Sequence, residues 1–333
     1  MGFNMIAHQQ LGSEGPLVSV LGLGCMGFSG NYGPADPAES VSTIEAALEM
    51  GVNFLDTGDF YGAGDNEMLV AKAIANRRDQ AFISLKFGAL STPGGGINGF
   101  DARPHALKNF LAYSLKRLGT DYVDLYQPAR IDPNVPIEET VGAIKDLIEA
   151  GYVRYLGLSE AGPDSIAKAH AVHPVTALQT EYSLATRDVE TTTLATLSKR
   201  GVGLVAYGVL SRGLLGGDLT ASRAWPRSDF RQHAPRFQKD NLAGNVKRVD
   251  RLRAIAAEAG LTPASLSIGY VRSRAPQCVA LLGTRRKDRL AEAVAAIDKP
   301  VADDVMRAVD MAFPQGGFAG DRYAPAHMAM VDR

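Results

Sequence analysis

Cysteine is scarce: Cys25 and Cys278 are the only two in 333 residues. They lie far apart with no CxxC companion, which excludes a disulfide framework and points to a reducing, cytoplasmic setting. Neither sign of charge dominates. With 35 basic and 36 acidic residues and a net charge of −1, neither nucleic acid nor an anionic membrane surface is indicated as a partner. No apolar run approaches the roughly 18 residues of a membrane span, and the opening MGFNMIAHQQLG lacks the basic segment and apolar run of a processed leader. Histidines are few, and only His170 and His173 stand close together, beside Pro174. Without further ligands nearby they read as two exposed residues at a helix end, and no metal is expected. No Ser- or Pro-rich linker divides the chain, so residues 1–333 read as a single domain with a sizeable core and small molecules as partners.

What is present is a rhythm. QQLG, SEGP and LVSVLGLG read as a short hairpin leading into a first buried strand at 18–24. Short apolar runs follow at 52–55, 82–85, 122–126, 154–158, 177–180, 203–206 and 279–282. Segments of helical period separate them. Pro37 opens one, with Val41, Ile44, Ala47 and Leu48 as apolar positions before the stop at Gly51. Leu107, Phe110, Leu111, Leu115 and Leu118 share a face of the next, between Pro104 and Gly119, and a third runs from Pro136 to Gly151. Eight strands alternating with helices predict a parallel sheet, and eight is the number that closes a barrel. The predicted fold class is therefore α/β, a (β/α)8 TIM barrel with an N-terminal β-hairpin and long loops at its C-terminal face. Two places break the rhythm: a polar loop at 208–245, followed by helices at 247–259 and 263–273, and the tail from Pro314. Trp225, Phe230 and Phe237 in the loop, with Phe318 and Tyr323 in the tail, either wall a substrate pocket or pack down on the barrel rim.

In such a barrel the chemistry sits at the C-terminal strand ends. Here those ends present Gly24 and Cys25, Asp56, Lys86, the stretch from Gln127 to Arg130, Ser159 and Glu160, Gln179, Tyr207, and Gly283 with Thr284. A strand-end Lys86 can lower the pKa of a nearby tyrosine hydroxyl, Tyr61, while Asp56 holds the lysine; together they make a proton donor for a carbonyl. GLGCMG at 22–27 matches GxGxxG, but FSGNYGPADP follows where a helix should begin, and no acidic residue ends the next strand at the spacing a ribose needs. It reads instead as a Gly-rich turn at a barrel strand end.

LGLGCMGFSGNYG, FLDTGDFYGAGDNE, the strand-end Lys86, VDLYQPARIDPNVPIEETVGAI, GLSEAGPDSIAKAHAVHPVTALQTEYS, VAYGVLSRGLL and LLGTRRKDRLAEAV together resemble the aldo-keto reductases, NADPH-dependent (β/α)8 carbonyl reductases. The resemblance runs from about residue 17 to about residue 297. It implies that Asp56, Tyr61 and Lys86 are three of four catalytic residues, with Tyr61 the general acid. It implies that Ser159 and Gln179 hold the nicotinamide carboxamide and that the ring stacks on Tyr207. Gly24, Met26, Asp56, Leu210 and Arg212 fall at further cofactor positions. Gly283, Thr284, Arg285, Arg289 and Glu292 fall where the family binds the adenosine 2′-phosphate and adenine. The cations Arg285, Arg286, Lys287 and Arg289 at the start of a helix suit a phosphate on physical grounds too, so NADPH is expected as the cofactor.

This chain departs from the family at several positions. Where relatives read LYYQHR it has LYQPAR, which places Ala129 at the catalytic His. Glu160 stands at a position often Asn, Gly208 follows the stacking tyrosine where Ser is frequent, and Ala293 replaces an adenine-contacting Asn. Without that histidine Tyr61, tuned by Lys86 and Asp56, can still protonate an alkoxide, with Gln127, a water or His233 as candidates for the second hydrogen bond to the carbonyl. Three functions remain open: a reductase of aldehydes or ketones, a nicotinamide-binding sensor or regulatory protein with weak turnover, and a barrel isomerase or aldolase with Lys86 as Schiff-base nucleophile.

Overall fold

Period-two strands and period-3.6 helices alternate along the whole computed structural model, which describes residues 6–93, 96–297 and 299–332. The first five residues, Gly94, Gly95, Asp298 and the terminal Arg333 lie outside the described residues. The order begins with β1 (His8–Gln10), β2 (Leu17–Ser19), β3 (Leu21–Gly24), α1 (Pro37–Glu49), β4 (Phe54–Gly58), α2 (Asp65–Ile74) and β5 (Phe82–Phe87). It continues with β6 (Ala89–Ser91), β7 (Ile97–Phe100), α3 (Pro104–Leu118), β8 (Val123–Pro128), α4 (Ile137–Glu149), β9 (Val153–Ser159), α5 (Pro163–Val172) and β10 (Ala177–Glu181). The last part holds α6 (Thr193–Arg200), β11 (Gly203–Tyr207), α7 (Lys239–Glu258), α8 (Pro263–Arg274), β12 (Cys278–Leu282), α9 (Lys287–Ile297), α10 (Asp303–Ala312) and α11 (Pro325–Met328). Strands β3, β4, β5, β8, β9, β10, β11 and β12 form a closed parallel barrel with helices between them, the (β/α)8 fold expected.

Local chemistry sets the helix ends. Asp36 accepts the Glu39 N–H at 2.8 Å, with Pro37 in the first turn of α1. α3 stops at Gly119, whose φ of 63° is left-handed.

The run at 18–24 is not one strand. Ser19 Oγ donates to Leu21 O at 2.7 Å and its N–H donates to Asn53 Oδ1 at 2.8 Å, so the chain turns there. Residues 17–19 belong to the hairpin, pairing antiparallel with β1. Leu11 and Val18 of this hairpin join the apolar layer inside the barrel, formed by Phe54, Phe82, Leu125, Ala177, Val205, Val279 and Leu281. Each such side chain contributes about 1.5–3 kcal/mol on burial. The larger apolar shell lies between strands and helices. Two further differences from the sequence reading concern the ends of loops. α7 starts at Lys239, inside the segment read as loop, and the tail forms the short helix α11.

Candidate active site

Strand residues point alternately inward and outward. Phe54, Asp56 and Gly58 of β4 therefore share the inner face, and so do Phe82, Ser84 and Lys86 of β5, which pair with them in register. Above the apolar layer the interior turns polar. Asp56 Oδ2 accepts from Lys86 Nζ at 2.6 Å, and Oδ1 accepts from Gln179 Nε2 at 2.7 Å and Ser84 Oγ at 3.2 Å. Gln127 Nε2 donates to Ser84 Oγ at 3.0 Å. All five side chains are buried. Gly157 makes room for this amide: a Cβ there would stand 3.1 Å from Gln127 Oε1. Gln127 thus supports the Asp56 network through one of its two amide N–H groups, and its buried Oε1 has no hydrogen-bond partner among the described residues. His233 is exposed on its loop.

Tyr61 lies in the turn after β4, where Gly62 and Ala63 take φ of 57° and 53°. The turn carries Tyr61 over Lys86, whose Nζ stands 5.1 Å from the ring centroid, and Phe60 packs edge-on against Tyr61 at 4.8 Å. Asp56, Tyr61 and Lys86, together with Gln179, are therefore one constellation. Its electrostatics differ from expectation. Burial, with Asp56 adding to it, pushes the Tyr61 hydroxyl well above the usual phenol range. Arg130 acts to lower it without outweighing burial, and the Lys86 ammonium is paired with Asp56 at 2.6 Å. Burial also lowers the Lys86 pKa, against the pull of Asp56.

A second cluster stands where β9, β10 and β11 end. Glu160, buried at a left-handed φ of 52°, accepts from Arg322 Nη1 at 2.7 Å and Nη2 at 2.6 Å, from Tyr207 Oη at 2.7 Å and from the Glu181 N–H at 2.9 Å. Burial raises its carboxyl, but Arg322 outweighs this and holds it at about 2. Tyr207 Oη also meets Tyr323 Oη at 2.8 Å. Arg212 Nη2 donates to the buried Glu181 at 2.7 Å, and the Arg212 guanidinium lies 4.7 Å from the Tyr323 ring centroid and 5.3 Å from that of Phe230. The aromatics of the long segments therefore divide. Tyr323 and Phe230 line the mouth, while Phe237 packs on Trp225 at 5.7 Å and Phe318 on Phe313 at 5.8 Å as rim and shell. Gly208 is required by its backbone: φ is 67°, and a Cβ would stand 3.2 Å from Glu181 Cγ.

The predicted adenosine-side residues follow β12. Arg285 donates to Gly33 O at 3.1 Å and Tyr32 O at 3.4 Å and faces no carboxylate among the described residues. Arg286 pairs with Asp288, and Arg289 with Asp218 at 2.5 Å and Glu292 at 3.2 Å. Thr284 Oγ1 accepts the Arg286 N–H at 3.2 Å. Ala293 is buried on the barrel side of α9. Gly24 and Gly283 are neighbours at the β3 and β12 ends, Met26 lies in the turn after β3, and Leu210 opens the turn that holds Arg212.

Arg322 Nε has no hydrogen-bond partner among the described residues, and two further buried donors at the mouth, Ser159 Oγ and Arg212 Nη1, have none either. Buried polar groups are ordinarily satisfied, so both fit a bound molecule with acceptor atoms, and Arg285 fits an anion. A nicotinamide dinucleotide phosphate has groups of both kinds. Sequence reasoning missed Glu181 and Arg322. Glu181 carried a signal, two positions beyond Gln179 on the same strand face, but Arg322 lies 162 residues from Glu160 and carried none.

Residues 20–313 match the model of the aldo/keto reductase family. A protein of Glycine max described as probable aldo-keto reductase 1 is 39% identical over 316 residues, covering 94% of this chain and 91% of that one. Among solved structures, a glycerol dehydrogenase of Gluconobacter oxydans superposes with a TM-score of 0.82 at 28% identity, covering 94% of this chain and 95% of the other. The holo form of an aldo-keto reductase of Bacillus halodurans gives 0.76 at 27% identity, covering 93% and 97%.

Proposed function

The chain belongs to the aldo/keto reductase family of nicotinamide-dependent oxidoreductases, and from that premise we propose that it is an NADPH-dependent reductase of aldehydes or ketones in which Tyr61 gives the proton. The observation that carries this reading is the buried Lys86, 2.6 Å from Asp56 and 5.1 Å from the Tyr61 ring. When bound, NADPH supplies the hydride. Ser159 and Arg212 bring free donors to it, for the carboxamide and the pyrophosphate, and Arg285 brings a cation for the 2′-phosphate. Tyr207 supplies the aromatic ring at the nicotinamide position, and Glu160 holds that ring through its hydroxyl.

The chain's own part is to deliver a proton to the carbonyl oxygen as negative charge develops there. With its pKa pushed up by burial, Tyr61 keeps its proton at neutral pH. It gives it up only to an oxygen more basic than itself, which an alkoxide is. The Lys86 ammonium, held by Asp56, then returns a proton to the Tyr61 phenolate, and the lysine amine takes its replacement from solvent. Alcohol oxidation uses the same groups in reverse.

Titration with NADPH and NADH by fluorescence quenching, then absorbance at the nicotinamide band with a panel of aldehydes and ketones, tests the reading. Tyr61→Phe is expected to lose about 10²–10⁴-fold in kcat, the usual contribution of a general acid, while keeping NADPH affinity. Tight NADPH binding without turnover of any carbonyl overturns the reductase reading in favour of a sensor.

A further inference from the structure

We infer that the carbonyl compound this enzyme reduces carries a carboxylate and that Arg130 receives it. The inference rests on the reductase reading and names its substrate class. Arg285 at the β12 end has no acidic partner among the described residues and is the cation assigned to the 2′-phosphate; four other arginines at the mouth or its wall each have one: Arg212 pairs with Glu181 at 2.7 Å, Arg322 with Glu160 at 2.6 Å, Arg231 with Asp229 at 2.6 Å, and Arg236 stands 3.8 Å from Glu181. Arg130 pairs with no carboxylate among the described residues. Its Nη1 donates to Ala129 O at 2.6 Å, and its Nη2 reaches the Tyr323 hydroxyl only at 3.5 Å.

Backbone pairing fixes where this cation stands. Lys86 lies opposite Gln127 and Phe87 opposite Pro128 in the β5–β8 ladder, and the Ala129 N–H donates to Phe87 O at 2.8 Å. Arg130 therefore leaves its strand beside the end that presents Lys86. Its charge acts on the reacting groups, reducing the proton affinity of both Tyr61 and Lys86. Burial opposes the Arg130 charge and Tyr323, Tyr207 and Glu160 favour it from a distance, so that it stays charged, yet no carboxylate among the described residues reaches it in an ion pair. Its planar fork matches a carboxylate in two parallel hydrogen bonds. One unpaired guanidinium suits one negative charge, which favours a carboxylate over a phosphate dianion. Arg212, whose free Nη1 is assigned to the cofactor, leaves Arg130 for the substrate.

The competing role for Arg130 is to tie the tail through Tyr323, whose ring centroid lies 5.9 Å from the guanidinium. Matched pairs separate the two roles: 4-formylbenzoate against its methyl ester, and succinic semialdehyde against its methyl ester, each followed by NADPH oxidation. The wild type is expected to favour at least one acid over its ester by about tenfold to a hundredfold in kcat/KM, the range of a charge-assisted hydrogen bond. Arg130→Gln is expected to remove that preference and Arg130→Lys to keep part of it. Raised salt should shrink it in the wild type, a measurement that needs no variant. Equal turnover of acids and esters by the wild type, or an acid-to-ester ratio unchanged in Arg130→Gln, overturns the inference and leaves the reductase reading standing. No NADPH oxidation with either class overturns both.

Discussion

Asp59, three residues beyond Asp56 and two before Tyr61, lies in the turn that positions the proposed proton donor. Burial, with Glu67 nearby, pushes its carboxyl from 3.8 up to about 7. Its Oδ1 has no partner among the described residues, and its Oδ2 accepts the Gly88 N–H only at 3.4 Å. In the unfolded chain the group ionises near pH 4, so between about pH 4 and pH 7 the unfolded chain has released a proton that the folded chain still holds. The folded state then binds more protons, and stability falls as pH rises through this window, levelling off above about pH 7. A shift of about three pKa units corresponds to on the order of 4 kcal/mol. Asp59→Asn keeps the shape without the charge. It leaves an amide donor unsatisfied at a cost of about 1–3 kcal/mol, the same at every pH. The variant should therefore be less stable than the wild type near pH 4 and at least as stable near pH 8. The swing in the difference between those limits should be on the order of 4 kcal/mol. Urea unfolding followed by far-ultraviolet circular dichroism across pH 4–8 measures it. A difference constant to within about 0.5 kcal/mol, the usual scatter between independent sites, would show that burial of Asp59 does not couple to folding.

Ser159→Ala removes a buried hydroxyl that has no partner in the protein, so the apo protein should lose little or no stability while NADPH binding weakens by about threefold to tenfold, one neutral hydrogen bond; thermal melts with and without cofactor read both. Gln127→Met tests whether that residue replaces the missing histidine. With its amide bonded to Ser84, kcat should stay within about threefold, whereas a drop toward 10²-fold would assign it to the carbonyl. Asp56→Asn removes the charge that supports the Lys86 proton, so the alkaline limb of the kcat/KM profile should move to lower pH. An unshifted limb would detach Lys86 from turnover.

The barrel was legible because both of its periods are written locally: apolar runs of strand length between segments of helical period, each with its own stop at Gly51, Gly119 or Gly151. The constellation of Asp56, Lys86 and Gln179 was legible for a related reason. Polar residues that end apolar strands must project into the mouth, and period two selects the inward ones. Where the reading went astray, the deciding contact was not local. The turn at Ser19 is made by Asn53, 34 residues away. The lowering of the tyrosine pKa expected from Lys86 is outweighed by burial of Tyr61, which no local pattern shows.

The pairing of Glu160 with Arg322 bears on how a pH profile of this enzyme should be assigned. With its carboxyl held at about 2, Glu160 gives its stability to the fold above the unfolded carboxylate pKa, and that stability is lost progressively as pH falls from 4.5 through about 2. Between pH 5 and pH 9 the pair is charged throughout, and so the tail stays fastened to Tyr207 by the same hydrogen bonds. A change in activity within that range therefore cannot come from release of the tail at Glu160. Asp59, at about 7, and Lys86, lowered by burial, flank Tyr61 and do shift into or toward that range. An inflection near pH 7 that disappears in Asp59→Asn belongs to the turn that carries Tyr61. One that survives in Asp59→Asn and moves in Asp56→Asn belongs to Lys86.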